Sequence, residues 1–412
     1  LLAHVARDIG NVAVLSTCQM LFGTGRGLFM IAAPAVALLP SFAPHLALVT
    51  LPAATVVVGT ALSAWVASMI TRRMGRRYGF ILGTGLGALS GLLCFGAVIY
   101  QNFWLLALGG LIFGFFSGFA QLYRFAAADG ITGKYRSIAI SLVLAGGVFA
   151  GFAGAGLAVW GEELVPANWY TGDAYQFGGT FLFMTGTSLV AAFALLFLRI
   201  PNLTKAQLEG PQRPMLEIMK QPVFIAAAVS ATVAQTVMNF LMTATPVAMI
   251  HICGHSFDSM AGVIASHIFA MFAPGFFTGF LIRKFGEIRM IIVGLFLEAG
   301  CIAIALLGIE VMNFWLAMFL LGVGWNFTFT AATSLMTTAY TPAERAKTQG
   351  MTNQIIYTVV AIGSLSSGAF IHFFGWDWVN IGALPLLVIA VGVTIWYVFK
   401  KKTPLQKAEQ LH

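Results

Sequence analysis

The sequence predicts an all-α membrane protein of twelve spanning helices in two six-helix halves. Composition, the number of apolar runs and the placement of positive charge predict it. Of 412 residues, 59% are hydrophobic and 9% charged, whereas a soluble domain carries about 25% charged residues. So few charges cannot cover a water-exposed surface, and a lipid-facing surface needs none.

A membrane helix needs about 20 apolar residues, and twelve such runs follow one another. They begin near Asp8, Leu46, Tyr78, Phe103, Ser137 and Phe177, then near Val223, Met260, Met290, Phe314, Gly350 and Val379. Several contain Gly or Pro, which neighbouring helices tolerate in a membrane. The longest polar connector, residues 201–220, divides the chain. The expected organisation is a first bundle over residues 1–200, a linker over 201–220, a second bundle over 221–400 and a tail over 401–412. Residues 1–7 lack a cleavable signal pattern, so the first helix is expected to act as the insertion signal.

Charge placement tests the count independently. With the N-terminus in the cytoplasm, every Lys and Arg except Arg26 falls in a cytoplasmic segment. Arg72, Arg73, Arg76 and Arg77 lie in one connector, and Arg283, Lys284 and Arg289 in its counterpart. Outer connectors carry acids instead, among them Glu162, Glu163, Asp173, Asp258, Glu310 and Asp377. Both termini are then cytoplasmic. The net charge of +8 is spread over these connectors and forms no patch, which argues against nucleic acid as a partner. Cys18, Cys94, Cys253 and Cys301 are scattered and imply no disulfide framework.

An internal repeat accompanies the charge pattern. Residues 68–77 read S-M-I-T-R-R-M-G-R-R and residues 279–288 read G-F-L-I-R-K-F-G-E-I, with Gly75 matching Gly286. The first of these resembles the G-x-x-x-D-R-x-G-R-R signature of the major facilitator superfamily. Ser68 stands at the leading Gly of that signature and Arg72 at its acid. The resemblance implies a substrate site between the halves, alternating access by rocking, and a gating role for Arg72, Arg73, Gly75, Arg76 and Arg77.

Ionisable and soft groups inside spans are the candidate site residues. Span seven holds Met238-x-x-x-Met242 and span eight holds His267-x-x-x-Met271. A spacing of four puts both members on one helix face. Met242 and His267 are equidistant from the turn near Gly254 and His255, as are Met238 and Met271, so an antiparallel pair presents two tiers about 6 Å apart. Thioethers with an imidazole select copper, especially Cu(I), with Gln235 and Asn239 as support. The same methionines equally suit helix packing, and a mid-span His equally suits a proton relay or polar bridging. At the outer turn, Met249, His251, Cys253 and His255 form an M-x-H-x-C-x-H run. It reads either as a capture site for metal or as an exposed loop.

The M-x-x-x-M and H-x-x-x-M pairs, with the segment Q-L-Y-R-F-A-A-A-D ending at Asp129, resemble the CcoA-type copper importers, a bacterial branch of the same superfamily. That resemblance implies copper binding by Met238, Met242, His267 and Met271, and import across the inner membrane to supply cytochrome oxidase assembly. Copper is then the transported substrate, no cofactor is needed, and the protein is a monomer in membrane lipid. The branch also includes riboflavin carriers. Arg26 is an intramembrane cation that pairs with an acid or binds an anionic substrate group, and its presence disfavours a bare cation in the path. Glu298 is a candidate coupling site. Gln19, Asn326, Asn353 and Gln354 line a cavity or bridge helices. The alternative to copper is an organic solute such as riboflavin or a drug. A sensor of the same fold would carry a long soluble appendage. Phosphate-loop and nucleophile motifs are missing, which argues against an enzyme.

Overall fold

Lipid supplies no hydrogen-bond partners, so a chain this apolar must satisfy its backbone within helices. The computed structural model describes residues 2–37, 39, 42–45, 48, 51–129, 131, 135–164, 177–200 and 211–409, with a few side chains inside helices excepted. Asp173, Lys134, most of the expected linker and the end of the tail lie outside the described residues, as do the side chains of His251, Glu162, Glu163 and Asp258.

Every described element is helical. The first half contains α1 (Leu2–Ala37), α2 (Leu51–Met74), α3 (Arg76–Ile99), α4 (Phe103–Ala120), the short α5 (Tyr123–Asp129), α6 (Arg136–Ala145), α7 (Val148–Leu164) and α8 (Gly178–Leu195). The second contains α9 (Met215–Met219), α10 (Pro222–Val247), a π-helical turn (Ala248–Ile252), α11 (Phe257–Phe272), α12 (Gly275–Phe285), α13 (Glu287–Leu307), α14 (Val311–Met336) and α15 (Arg345–Glu409). Among the described residues, nine helices are long and apolar enough to cross a membrane. Ten are reached when Gly262–Phe272 and Gly275–Phe285, bent by 43°, count as one. The other two expected crossings are α6 with α7, interrupted at Gly146 and Gly147, and the part of α15 that precedes its break at Gly375. The twelve-helix plan accounts for all of these segments.

The chain forms two compact units. One comprises Leu1–Ile131, Leu142–Asn202 and Gln349–Ala361, and the other Thr132–Ser141, Leu203–Thr348 and Ile362–His412. They depart from the sequence halves in two short exchanges: the start of α6 packs with second-half helices, and the start of α15 with first-half helices. Ser137 Oγ donates to the Gly279 carbonyl at 3.1 Å, and the Gly279 amide donates to Ser141 Oγ at 2.9 Å.

Within the first unit, α4 carries Gly110, Gly114 and Gly118 at intervals of four. A Cβ at these positions would run into the Pro52 carbonyl, the Val56 carbonyl and Ser63 respectively, so α2 lies directly on this stripe. Phe22 and Phe29 of α1 stack on Phe113 at 5.8 and 6.1 Å and form the aromatic core. Within the second unit, α10, α11 and α13 all pack on α14. Close approach again depends on glycine: a Cβ on Gly322 would stand 2.7 Å from the His267 carbonyl, and one on Gly324 2.8 Å from the Gly294 carbonyl.

The exposed end of the linker is tied to the second unit. Arg213 donates through Nε to Glu344 Oε1 at 2.8 Å and through Nη2 to Glu344 Oε2 at 2.6 Å. These bonds hold the Glu344 carboxyl down to about 2, so the pair stays ionised at neutral pH.

The internal repeat reappears in the backbone. Gly75 has φ 84° and ψ 159°, and Gly286 has φ 87° and ψ 157°. These positive φ values are open to glycine and strained for other residues. Nothing lies within 4 Å of a Cβ added at Gly286, so backbone strain alone governs that position. Gly286→Ala is expected to cost about 1–2 kcal/mol, read as a lower thermal unfolding midpoint in detergent. Gly85→Ala, in an open helical position, is expected to keep or slightly raise the midpoint.

Candidate functional site

The four thioether and imidazole groups sit on α10 and α11. Met238, Met271 and His267 are buried, and Met242 is half-buried. These two helices both lie along α14 and make little direct contact with one another, so the direct pairing expected of an antiparallel hairpin is replaced by packing through a third helix. His267 is 0% exposed, and its Nδ1 lies 2.7 Å from the Met318 carbonyl. A carbonyl only accepts, so Nδ1 carries the proton and Nε2 presents its lone pair. Nε2 is buried and has no hydrogen-bond partner among the described residues.

Of the amides on these helices, Gln235 and Asn326 bridge to a neighbouring helix, and Asn239 closes back on its own. Trp325 Nε1 donates to Gln235 Oε1 at 2.8 Å, and Asn239 Nδ2 to the Gln235 carbonyl at 2.8 Å. Asn326 Nδ2 donates to the Met271 carbonyl at 2.7 Å, and Thr278 Oγ1 donates to Asn326 Oδ1 at 2.7 Å. Asn326 thus bridges α14, α11 and α12. Among the described residues, no three His, Cys, Asp or Glu side chains converge as a metal cluster.

The outer run is divided among different contacts. Met249 is buried. His255 Nε2 is 2.7 Å from the Ile309 carbonyl, and its ring meets Phe314 edge-on at 5.9 Å. Partial burial pushes the Cys253 thiol up, with Asp377 adding to the effect. The His251 side chain lies outside the described residues.

A second polar cluster occupies the first unit. Arg26 is half-buried in the middle of α1 and has no hydrogen bond or ion pair among the described residues. Gln19 lies on the same helix face, two turns earlier. Tyr357 is within electrostatic reach of both Arg26 and Arg124, and within hydrogen-bonding reach of Arg124. Arg124 is buried and donates to Gln121 Oε1 at 2.9 Å and to Asn353 Oδ1 at 2.8 Å. The Asn353 amide nitrogen is buried without a partner. No acid occurs on α1 beyond Asp8 or in residues 349–361, and the one acid of α5, Asp129, is paired with Arg76. Donors therefore dominate this cluster.

The expected gating loop is divided in its roles. Arg76 is buried; its Nη2 pairs with Asp129 Oδ2 at 2.7 Å and also meets Gln349. Arg73 is exposed, while Arg72 and Arg77 are half-buried. Glu298, on α13, is 0% exposed, and neither of its carboxyl oxygens has a hydrogen-bond partner. It faces Gly324 of α14.

Several of these roles escaped the sequence. Asp129 stood in a quoted motif, but nothing marked it as the partner of Arg76. Tyr357 and Arg124 sat in apolar surroundings with no spacing that linked them to Arg26. Charge placement counts Arg124 among the cytoplasmic basic residues, and only the structure shows it buried.

Comparison with known proteins bears on the family. The Major Facilitator Superfamily model matches residues 15–362 and also 276–411. The riboflavin transporter RfnT of Brucella anthropi is 38% identical over 348 residues, covering 84% of this chain and 85% of that protein. The MFS-type transporter YddS of Bacillus subtilis is 29% identical, covering 84% of this chain and 82% of that one. Among solved structures, the transporter FucP in its outward conformation aligns with a TM-score of 0.72 at 14% identity, covering 95% of this chain and 99% of that one. The human organic anion transporter MFSD10 aligns with a TM-score of 0.72 at 15% identity, covering 94% and 99%. At such identities these two structures speak for the fold.

The Arg76–Asp129 pair permits a direct energetic test. Removing one partner of a buried ion pair leaves an uncompensated charge, so Asp129→Asn is expected to cost about 3 kcal/mol. Arg76→Gln combined with Asp129→Asn is expected to recover part of that loss, measured as a double-mutant cycle on thermal unfolding.

Proposed function

The chain belongs to the major facilitator superfamily, and from that premise we propose that this secondary transporter carries a flat organic solute of the flavin class, riboflavin being the first to test. The observation that carries this reading is the placement of Arg26 and Arg124 around the Tyr357 hydroxyl. A flavin ring system is neutral, planar and edged with carbonyl and ring-nitrogen acceptors. Guanidinium, phenol and amide donors suit such an edge, with planar arginines also able to stack on it. A bare metal cation would meet electrostatic repulsion at the same place. The identity to a riboflavin transporter along most of both chains supports the same reading. The setting proposed is a bacterial inner membrane, with both termini cytoplasmic.

Glu298 is proposed as the proton-binding group. A carboxylate with no partner is costly in a buried site, and α10 and α14, which pack near it, contain no ionisable cation. Arg283 and Lys284 sit in the last turn of α12, and Arg289, on the same helix as Glu298, precedes it by nine residues, more than two helical turns. A proton on this carboxyl would remove the uncompensated charge, and its gain or loss as α14 moves is the proposed coupling step.

A second reading, copper import through Met238, Met242, His267 and Met271, is favoured by the unpartnered lone pair of His267 Nε2. An imidazole fixed through Nδ1 by a carbonyl is the usual arrangement of a metal ligand.

One uptake panel separates the readings. Cells producing the wild type at matched membrane abundance are expected to accumulate radiolabelled riboflavin. Arg26→Ala should reduce accumulation at least about tenfold, the loss of one charge-assisted hydrogen bond, while His267→Ala should change it little. Glu298→Gln should retain riboflavin exchange and lose accumulation driven by a pH gradient. Copper uptake that His267→Ala abolishes, together with no riboflavin uptake, would overturn the flavin reading.

A further inference from the structure

A cavity of about 320 Å³ opens at the basic end of the first unit, lined by Met74, Gly75, Arg77, Tyr78, Leu198 and Arg199 among others. It lies where α3 begins and just beyond the last residue of α8, at the boundary between apolar span and polar connector. No acid lines it. Elsewhere Arg76 is met by Asp129 and Arg213 by Glu344. The side chains of Arg77 and Arg199 have no ion pair or hydrogen bond among the described residues, and Arg77 Nε is buried without a partner. Among the described residues, the backbone amide of Arg199 donates to Asn11 Oδ1 at 2.8 Å.

The surroundings of the cavity select between anions. Phe193, Leu196 and Phe197, on the last turn of α8 and just past it, are exposed large apolar side chains that lead directly to Leu198 and Arg199. Tyr78 is 61% exposed, an aromatic with a polar tip at the level where lipid headgroups sit. A soluble anion would use the two arginines and gain nothing from this apolar strip. A phospholipid uses both, its phosphate between the guanidinium groups and its acyl chains along α8. The start of α3 at Gly75 has no side-chain cap, which leaves amide donors at the same end of the cavity.

We propose that this cavity is a binding site for the headgroup of an anionic phospholipid, with Arg77 and Arg199 as its phosphate ligands. Basic recesses at helix ends commonly receive such headgroups. The proposal is independent of the cargo, because none of these residues belongs to the Arg26 cluster or to the α10–α11 group.

The test uses the full-length protein purified in detergent, with thermal unfolding followed during titration with phosphatidylglycerol, phosphatidylcholine or inorganic phosphate. Phosphatidylglycerol is expected to raise the unfolding midpoint saturably, with phosphatidylcholine and inorganic phosphate having little effect. Arg77→Ala with Arg199→Ala should weaken the phosphatidylglycerol response about 30-fold, from roughly tenfold or less for each cation near a membrane surface. Arg199→Ala alone, at an exposed position beyond α8, provides the measurement if the double variant folds poorly, with a several-fold weaker response. Equal stabilisation by both lipids, or an undiminished response in the variants, would overturn the proposal. Stabilisation by inorganic phosphate alone would do so too and would identify a soluble-anion site.

Discussion

Lipid offers no hydrogen-bond partner, so every polar group carried into the membrane must find one within the protein or face a hydrated space. This constraint sorts the unusual residues of the chain into two sets. Arg76 is met by Asp129, Arg124 by Gln121 and Asn353, Asn326 by Met271 and Thr278, and Gln235 by Trp325. Those contacts hold helices together, and Arg124 in addition reaches Tyr357 beside Arg26. Arg26, Glu298, His267 Nε2 and the Asn353 amide nitrogen are left without partners in the described structure. Unmet groups of this kind are the ones open to a cargo or a coupling ion.

The two units achieve close packing by the same physical means, with small residues on one helix admitting the backbone of another. In the first unit the stripe runs along α4, and in the second it centres on α14. Because α14 bears the contacts of Glu298, His267, Met271 and Gln235, a change of protonation or occupancy at one of these groups acts on the helix that touches all of them. The equivalent backbone angles at Gly75 and Gly286 show that the two halves also share a turn geometry, despite differing in the charges that surround it.

Much of the fold was legible because its signals are periodic and redundant. Apolar run lengths, the alternation of basic connectors and the Gly75–Gly286 correspondence each pointed to two six-helix halves. The interruptions at Gly146, Gly147 and Pro274 were less legible, because glycine and proline are tolerated in membrane helices and do not mark a break by themselves. For the site, spacing placed Met238 with Met242 and His267 with Met271 on common faces. It could not show that α14 stands against both helices, since a symmetric hairpin argument ignores third partners. The Arg26 cluster depends on residues from α1, α5 and α15 that are far apart in sequence, and no local pattern joins them. Arg26 was legible as an anomaly, while its neighbours Arg124 and Tyr357 were not legible as its company.

The weight given to flavin over copper rests on which unmet groups receive the cargo. Guanidinium groups select acceptors and repel cations, whereas an imidazole lone pair among thioethers selects a soft metal. Binding to the purified protein separates these without any contribution from coupling. Titration of the protein into riboflavin, followed by flavin fluorescence, is the most direct measurement. The account predicts saturable quenching that Arg26→Ala abolishes and His267→Ala preserves. Absence of quenching by the folded wild type, with saturable Cu(I) binding that depends on His267, would contradict it.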